Sequence, residues 1–250
     1  MKLVIYEHPL NEKLRTFMRV EHLLQQVHNC KNLQYPFQPT AFFESLFALI
    51  ELLERNDIRG DLGKELDRNE QSLVQWARHP QICNETLQQT LKKVVQLQNT
   101  LNKMGRICNQ LKDDPFLASI RQRFSISGGT CHFDLPQLHF WIHLPPEKQA
   151  EHIQNWLMRL SPVEEALNIS LNFIRERSEF TSLKAVGGFY QDNAEKIELL
   201  RIKYTPAYEA YPTVSGNKHR YTIRFMQLCE DHEHGSIKAE QDILFSLARC

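Results

Sequence analysis

Arg220-Tyr221-Thr222-Ile223-Arg224-Phe225-Met226 decides how the chain is read, because its polar and apolar residues alternate without a break. Successive side chains of a β-strand point to opposite faces, so Tyr221, Ile223 and Phe225 share one face and Arg220, Thr222 and Arg224 the other. The two arginines then stand about 13 Å apart along the strand. Working outward, Leu199–Tyr204 alternates in the same way, Leu183–Tyr190 is strand-like around Gly187-Gly188, and Ile243–Leu247 is an apolar run. These stretches read as four C-terminal strands. At the opposite end Leu3-Val4-Ile5-Tyr6 is a further strand, rich in β-branched and aromatic residues and stopped at His8-Pro9.

Between these ends the apolar period changes to three and four. Leu14, Phe17, Met18, Leu24 mark a first helix from Asn11; Phe43, Leu46, Phe47, Ile50, Leu53 mark a second, with Thr40 as its expected N-cap; Leu62, Leu66, Leu73, Trp76 mark a third ending before Pro80. A fourth follows Asn84 through Leu87, Leu91, Val94 and Leu101. Shorter helices are expected over 115–124, 135–143, 147–160 and 163–177, the last two separated by Ser161-Pro162 with Ser161 as a cap. The lone N-terminal strand has no neighbour in sequence to pair with. The predicted fold is therefore α+β: a helical domain over residues 10–178, and a small antiparallel β domain in which residues 1–9 join residues 179–250.

Thirty Lys plus Arg balance thirty Asp plus Glu, so no overall field draws the chain to nucleic acid or anionic lipid, and charge-driven binding needs a local patch. The six cysteines form no C-x-x-C pair, which suits a reduced compartment. The N-terminal apolar run is too short for a signal peptide and no segment reaches membrane-span length, so a cytoplasmic location is expected.

Motifs that cradle phosphates, raise a nucleophilic serine or hold a zinc-protease centre are missing from the sequence. Gly128-Gly129 reads as a turn between helices. His139 and His143 have the i, i+4 spacing of metal ligands but flank Phe140-Trp141-Ile142 without a metalloprotease glutamate, and Cys229-Glu230-Asp231-His232-Glu233-His234 reads as a solvated loop. The expectation is no enzyme, no cofactor and no metal. The positive signal is basic: Arg220 and Arg224 on one strand face, Arg201 and Lys203 on the outward face of another, and Lys218 with His219 in the turn before residue 220. Strands must place something polar toward water, but several like charges on one face repel one another and call for a reason. Such a face suits an acidic peptide or a phosphate backbone; few aromatics interleave with the basic residues, which disfavours single-stranded nucleic acid.

Collinear stretches then carry a resemblance. Glu7-His8-Pro9-Leu10-Asn11-Glu12-Lys13 with Arg15, Lys64-Glu65-Leu66-Asp67-Arg68, Arg121-Gln122-Arg123 through Gly128-Gly129 to Phe133-Asp134-Leu135-Pro136, Gly188-Phe189-Tyr190-Gln191-Asp192-Asn193, and Ser215-Gly216-Asn217-Lys218-His219-Arg220 with Ile223-Arg224-Phe225-Met226 resemble, in order and content, the ZapD family of bacterial cell-division proteins. The resemblance implies a cytoplasmic homodimer at midcell that binds the C-terminal tail of FtsZ and bundles its filaments, with no nucleic acid or membrane partner. Carried over by motif, Arg19, His139, Arg220 and Arg224 are the implied tail contacts. Asp113-Asp114-Pro115 stands where some relatives carry a basic residue, which leaves that loop outside the implied site. The competing classes are a nucleic-acid-binding adaptor and a hydrolase with an unrecognised site.

Overall fold

A computed structural model describes residues 3–77, 84–217, 219–228 and 235–250. The architecture is α+β, as the sequence pattern requires, with helices β-flanked at both ends of the chain. Residue contacts divide it into two compact units, Thr16–Ser170 and Met1–Arg15 together with Leu171–Cys250.

The first unit is helical. Its helices, α1 (Glu12–Cys30), α2 (Gln38–Arg55), α3 (Arg59–Trp76), α4 (Asn84–Lys103), α5 (Asn109–Lys112), α6 (Pro115–Phe124), α7 (Pro136–Ile142) and α8 (Pro146–Arg175), follow the apolar spacing closely; the ends of α1 and α8 fall in the other unit. Phe43 of α2 is wholly buried and lies 5.1 Å, centroid to centroid, from Trp141 and 5.8 Å from Trp156. Phe116 stacks on Trp156 at 5.9 Å. Aromatic rings bury the most area per residue and prefer such tilted contacts, so this cluster anchors α2, α6, α7 and α8. The indole N–H groups are not left bare: Trp156 Nε1 donates to Asp114 Oδ2 at 3.0 Å and Trp141 Nε1 to His152 Nδ1 at 3.0 Å.

Two helix boundaries differ from the expectation. α2 starts earlier, at Gln38, with Pro39 in its first turn, and Thr40 lies inside it; Phe37 occupies the cap position without a side-chain bond. Proline at the start of a helix forfeits only an amide that would be unpaired anyway, which outweighs the Thr40 signal. The expected break at Ser161-Pro162 is absent, and α8 runs through Pro162. Ile153, Trp156, Leu160, Val163, Leu167, Leu171 and Ile174 are all buried in steps of three and four. Continuous burial of that stripe outweighs the roughly 3 kcal/mol that an interior proline costs.

The second unit holds the strands β1 (Val4–Pro9), β2 (Thr181–Ala185), β3 (Phe189–Asn193), β4 (Leu199–Tyr204), β5 (Ala210–Gly216), β6 (Arg220–Leu228), β7 (Ser236–Lys238) and β8 (Ile243–Arg249). They form two antiparallel sheets rather than one, with orders β1-β4-β8-β2 and β3-β6-β5, and β7 paired to β6. β1 does pair with a C-terminal strand, Val4 opposite Tyr204 through Pro9 opposite Leu199. The expected single strand over 183–190 is in fact β2 and β3, in different sheets, joined where Gly187 and Gly188 take φ of 50° and 67°. At Gly188 a Cβ would stand 2.5 Å from the Ala239 carbonyl oxygen, so the crossing between sheets requires glycine. The sheets pack face to face over Leu200, Ile202, Phe245 and Leu247 on one side and Tyr221, Ile223 and Phe225 on the other. Phe225 and Phe245 meet at 5.5 Å, and Tyr190 meets Phe245 at 5.5 Å.

Candidate functional site

The alternation in β6 survives in three dimensions. Tyr221, Ile223 and Phe225 are fully buried, whereas Arg220 and Arg224 are exposed. Cross-strand register assigns the neighbours on the outer face. Asn193 lies opposite Arg220; Gln191 and Ser215 flank Thr222; Phe189 and Thr213 flank Arg224; Tyr211 and Lys238 flank Met226; and Ser236 lies opposite Leu228. None of these strand residues is a carboxylate. Arg224 is 6.0 Å from the Phe189 ring centroid, within cation–π range, and neither Arg220 nor Arg224 has an ion-pair partner among the described residues. The hairpin before β6 is fixed by Asn217, whose Oδ1 accepts from the backbone N–H of His219 at 2.9 Å and of Arg220 at 3.1 Å. Lys218 lies outside the described residues.

The acid nearest this face in sequence is turned inward. Asp192 Oδ2 accepts from Arg249 Nη2 at 2.8 Å and from the Tyr190 hydroxyl at 3.0 Å. Arg249 Nε also donates to the Tyr221 hydroxyl at 2.9 Å, and its Nη2 to that of Tyr190 at 2.8 Å. Arg249 comes from β8, so one guanidinium ties the two sheets together and keeps Asp192 from neutralising the outer arginines. Burial raises the Asp192 carboxyl, but bonds from the Asn193 amide, Tyr190 and Arg249 outweigh it and leave the group below its ordinary value. Burial pushes the Tyr221 hydroxyl up to about 12, against the opposing pull of Arg249.

Arg201 and Lys203 lie on the other sheet and are engaged there. Arg201 stands opposite Glu7 in the β1–β4 register, its Nε donates to Glu7 Oε1 at 2.9 Å, and its Nη1 donates to the Arg175 carbonyl at 2.9 Å. Arg175 also clasps Glu7, at 2.8 Å. The Lys203 ammonium sits 3.8 Å from the Phe180 ring centroid. The two residues therefore do not extend the face that carries Arg220 and Arg224.

Arg19 and His139 belong to the helical unit. Arg19 is exposed on α1. His139 is exposed on α7, its ring 5.0 Å from His132 and 4.5 Å from His143, whose Nδ1 bonds the His139 carbonyl oxygen at 2.7 Å. Among the described residues no group of three or more His, Cys, Asp or Glu side chains is placed to hold a metal ion, and no helix is long and apolar enough to cross a membrane. The run Cys229–His234 lies outside the described residues. Of the Arg-Gln-Arg stretch, Arg121 is committed to Glu54, at 3.2 and 2.7 Å. Asp114 caps α6 by accepting from the amides of Phe116 and Leu117.

Sequence reasoning missed Phe189, Tyr211, Met226 and Lys238 as members of the outer face. The signal for Met226 was present, since it continues the parity of Arg220 and Arg224. Lys238 sits in a strand of 3 residues, too short for any alternation to show.

Comparison with known proteins identifies the family. Residues 18–224 match the family model ZapD, described as a cell division protein. Proteins named Cell division protein ZapD from Serratia proteamaculans and Klebsiella pneumoniae are 39% and 40% identical over 247 residues, covering 99% of this chain and 97% and 98% of theirs. The protein of that name from Vibrio vulnificus is 39% identical over 245 residues, with 98% of each chain covered. With the family model and full-length relatives in agreement, the chain belongs to the ZapD family of cell division proteins.

Proposed function

We propose that this protein is a non-enzymatic, cytoplasmic division factor that binds the C-terminal tail of FtsZ at midcell. As a homodimer it cross-links FtsZ filaments into bundles and so promotes Z-ring assembly and septation. The observation that carries the reading is the outer face of β6, where Arg220 and Arg224 share a sheet surface whose cross-strand neighbours include no carboxylate. On a chain of formal net charge +0, that local excess is what an acidic tail segment would meet. A twofold particle carries two such faces and can bridge two filaments, which one face alone cannot do. Arg19 and His139 are proposed as a further tail contact on the helical unit.

Sedimentation of polymerised FtsZ with the wild type and with Arg220→Glu/Arg224→Glu tests the proposal. The wild type should pellet bundles at low salt and progressively fewer as salt rises. The double variant should keep the wild-type circular dichroism and oligomeric state and lose bundling, because exposed substitutions usually change stability by only about 0.5 kcal/mol. Undiminished bundling by the variant places the tail site elsewhere.

A further inference from the structure

The outer face of β6 changes character along its length. From Arg220 to Arg224 it is cationic, with Asn193, Gln191, Ser215 and Thr213 as polar neighbours. Beyond Arg224 it becomes apolar: Met226 and Leu228 continue the same parity, Tyr211 lies opposite Met226, and Phe189 sits beside Arg224 where the two halves meet. A single exposed leucine means nothing by itself. Here Leu228 is 76% exposed and Phe189 36%, and they share one sheet face with Met226 and Tyr211 immediately next to two arginines that have no ion-pair partner among the described residues. At strand rise each half is about 13 Å long, room for about four extended residues. Lys238 stands beside Met226 and shares a hollow with Glu209 and Glu240, which offset it, so the net positive charge is concentrated at the Arg220–Arg224 end.

We propose that this face reads two chemistries in a fixed order. An extended peptide lies along β6 with its carboxylates over Arg220 and Arg224 and with bulky apolar side chains over Phe189, Tyr211, Met226 and Leu228. The inference rests on the proposed tail-binding function and deepens it by naming specificity residues that are not charged. The cations supply attraction that salt screens; the apolar shelf supplies selection, since an aromatic and aliphatic cluster beside arginine is the composition from which binding hot spots are built. An acidic segment without an apolar neighbour would be held only weakly.

The test is fluorescence anisotropy on the full-length protein with two labelled synthetic decapeptides. One carries aspartates followed by leucine and phenylalanine; the other replaces the apolar pair by serine. The wild type should prefer the first by about tenfold, the scale expected for burying one apolar side chain, or about half of each of two. In Met226→Thr/Leu228→Thr, where threonine keeps strand propensity, affinity for the first peptide should fall to that of the second, while the salt dependence for the first peptide stays as in wild type. Leu228→Ser, at the most exposed position, should give part of the same loss and guards against misfolding of the double variant. In Arg220→Glu/Arg224→Glu both peptides should be lost. No preference in the wild type, or full preference in the apolar variants, overturns this inference while leaving arginine-dependent binding intact. Binding of both peptides that survives arginine reversal overturns the tail-site reading on which it rests.

Discussion

Replacing Arg249 by methionine should loosen the β unit more than any exposed substitution on it. The guanidinium donates to Tyr221 at 2.9 Å and to Tyr190 and Asp192 at 2.8 Å each, and it reaches from β8 across to β3 and β6. Methionine keeps much of the stem's apolar volume, so the loss is confined to the charged head. The Tyr221 hydroxyl belongs to a wholly buried residue, and leaving it without a partner costs about 1–3 kcal/mol. The Asp192 ion pair adds less, because its partners are 28% and 40% exposed and solvent screens them; about 1 kcal/mol is its ceiling. The sum is about 1–4 kcal/mol, which for a chain of this size lowers the melting temperature by about 2–16 °C. Differential scanning calorimetry on Arg249→Met, Tyr221→Phe and the double variant reads it. Tyr221→Phe alone should cost about 1 kcal/mol, and the pair should fall short of additivity by a similar amount. The same cluster sets an alkaline limit. The Tyr221 hydroxyl has its folded value raised from 10.0 to about 12, so its contribution is complete below pH 10 and fades between pH 10 and about 12. If Arg249→Met melts within a degree of wild type and the cycle is additive, the cross-sheet clamp contributes nothing and this reasoning fails.

Gly188→Ala should destabilise by about 1–3 kcal/mol, since φ is 67° and the added methyl meets the Ala239 carbonyl; urea unfolding followed by tyrosine fluorescence measures it, and an unchanged midpoint would mean that the turn relaxes freely. The Glu198 carboxyl is raised by burial but lowered further by Arg177 at 2.7 Å and Lys13 at 3.0 Å, so its net folded value lies below the ordinary one. Its stabilisation is therefore present above the unfolded value and is lost as pH falls through the lowered folded value; Glu198→Gln should flatten that acid limb of a pH–stability curve. Arg201→Gln is expected to act on stability, by about 1–2 kcal/mol through the lost charge-assisted bond to Glu7, which Arg175 still holds, while changing tail-peptide affinity less than twofold; an affinity loss as large as that from Arg224→Glu would return Arg201 to the binding face.

The helical unit was legible because burial in a helix leaves a period. Phe43, Leu46, Phe47, Ile50 and Leu53 declare α2 by spacing, and all of them are buried. What spacing does not declare is how a local signal fares against it. Ser161-Pro162 is a sound helix start taken alone, and it loses because the apolar stripe of α8 continues on both sides of it. The strand region shows the opposite limit. Period two identified β4 and β6, an apolar run β8, and β-branched and aromatic content β1, but none of these signals says which strands share a sheet. The stretch 183–190 looked like one strand because both halves are rich in strand formers, and only the paired positive φ values at Gly187 and Gly188 divide it between two sheets.

The same limit explains why part of the basic face was legible and part was not. Arg201 and Arg224 have indistinguishable local settings, each an arginine flanked by apolar residues in an alternating strand. Their cross-strand partners separate them. Arg224 lies between Phe189 and Thr213, neither of which carries a charge, and no ion-pair partner for it stands among the described residues. Arg201 lies opposite Glu7, a residue 194 positions away whose carboxylate also takes Arg175. Asp192 repeats the lesson with the sign reversed: it stands one residue from Asn193, which faces outward opposite Arg220, yet parity sends its carboxylate inward to Arg249. Outward orientation can be read from alternation alone. Whether an outward charge is free to bind a partner depends on register, and register is settled by the buried faces of the two sheets, by Tyr221, Ile223 and Phe225 against Phe245 and Leu247, and not by the arginines themselves.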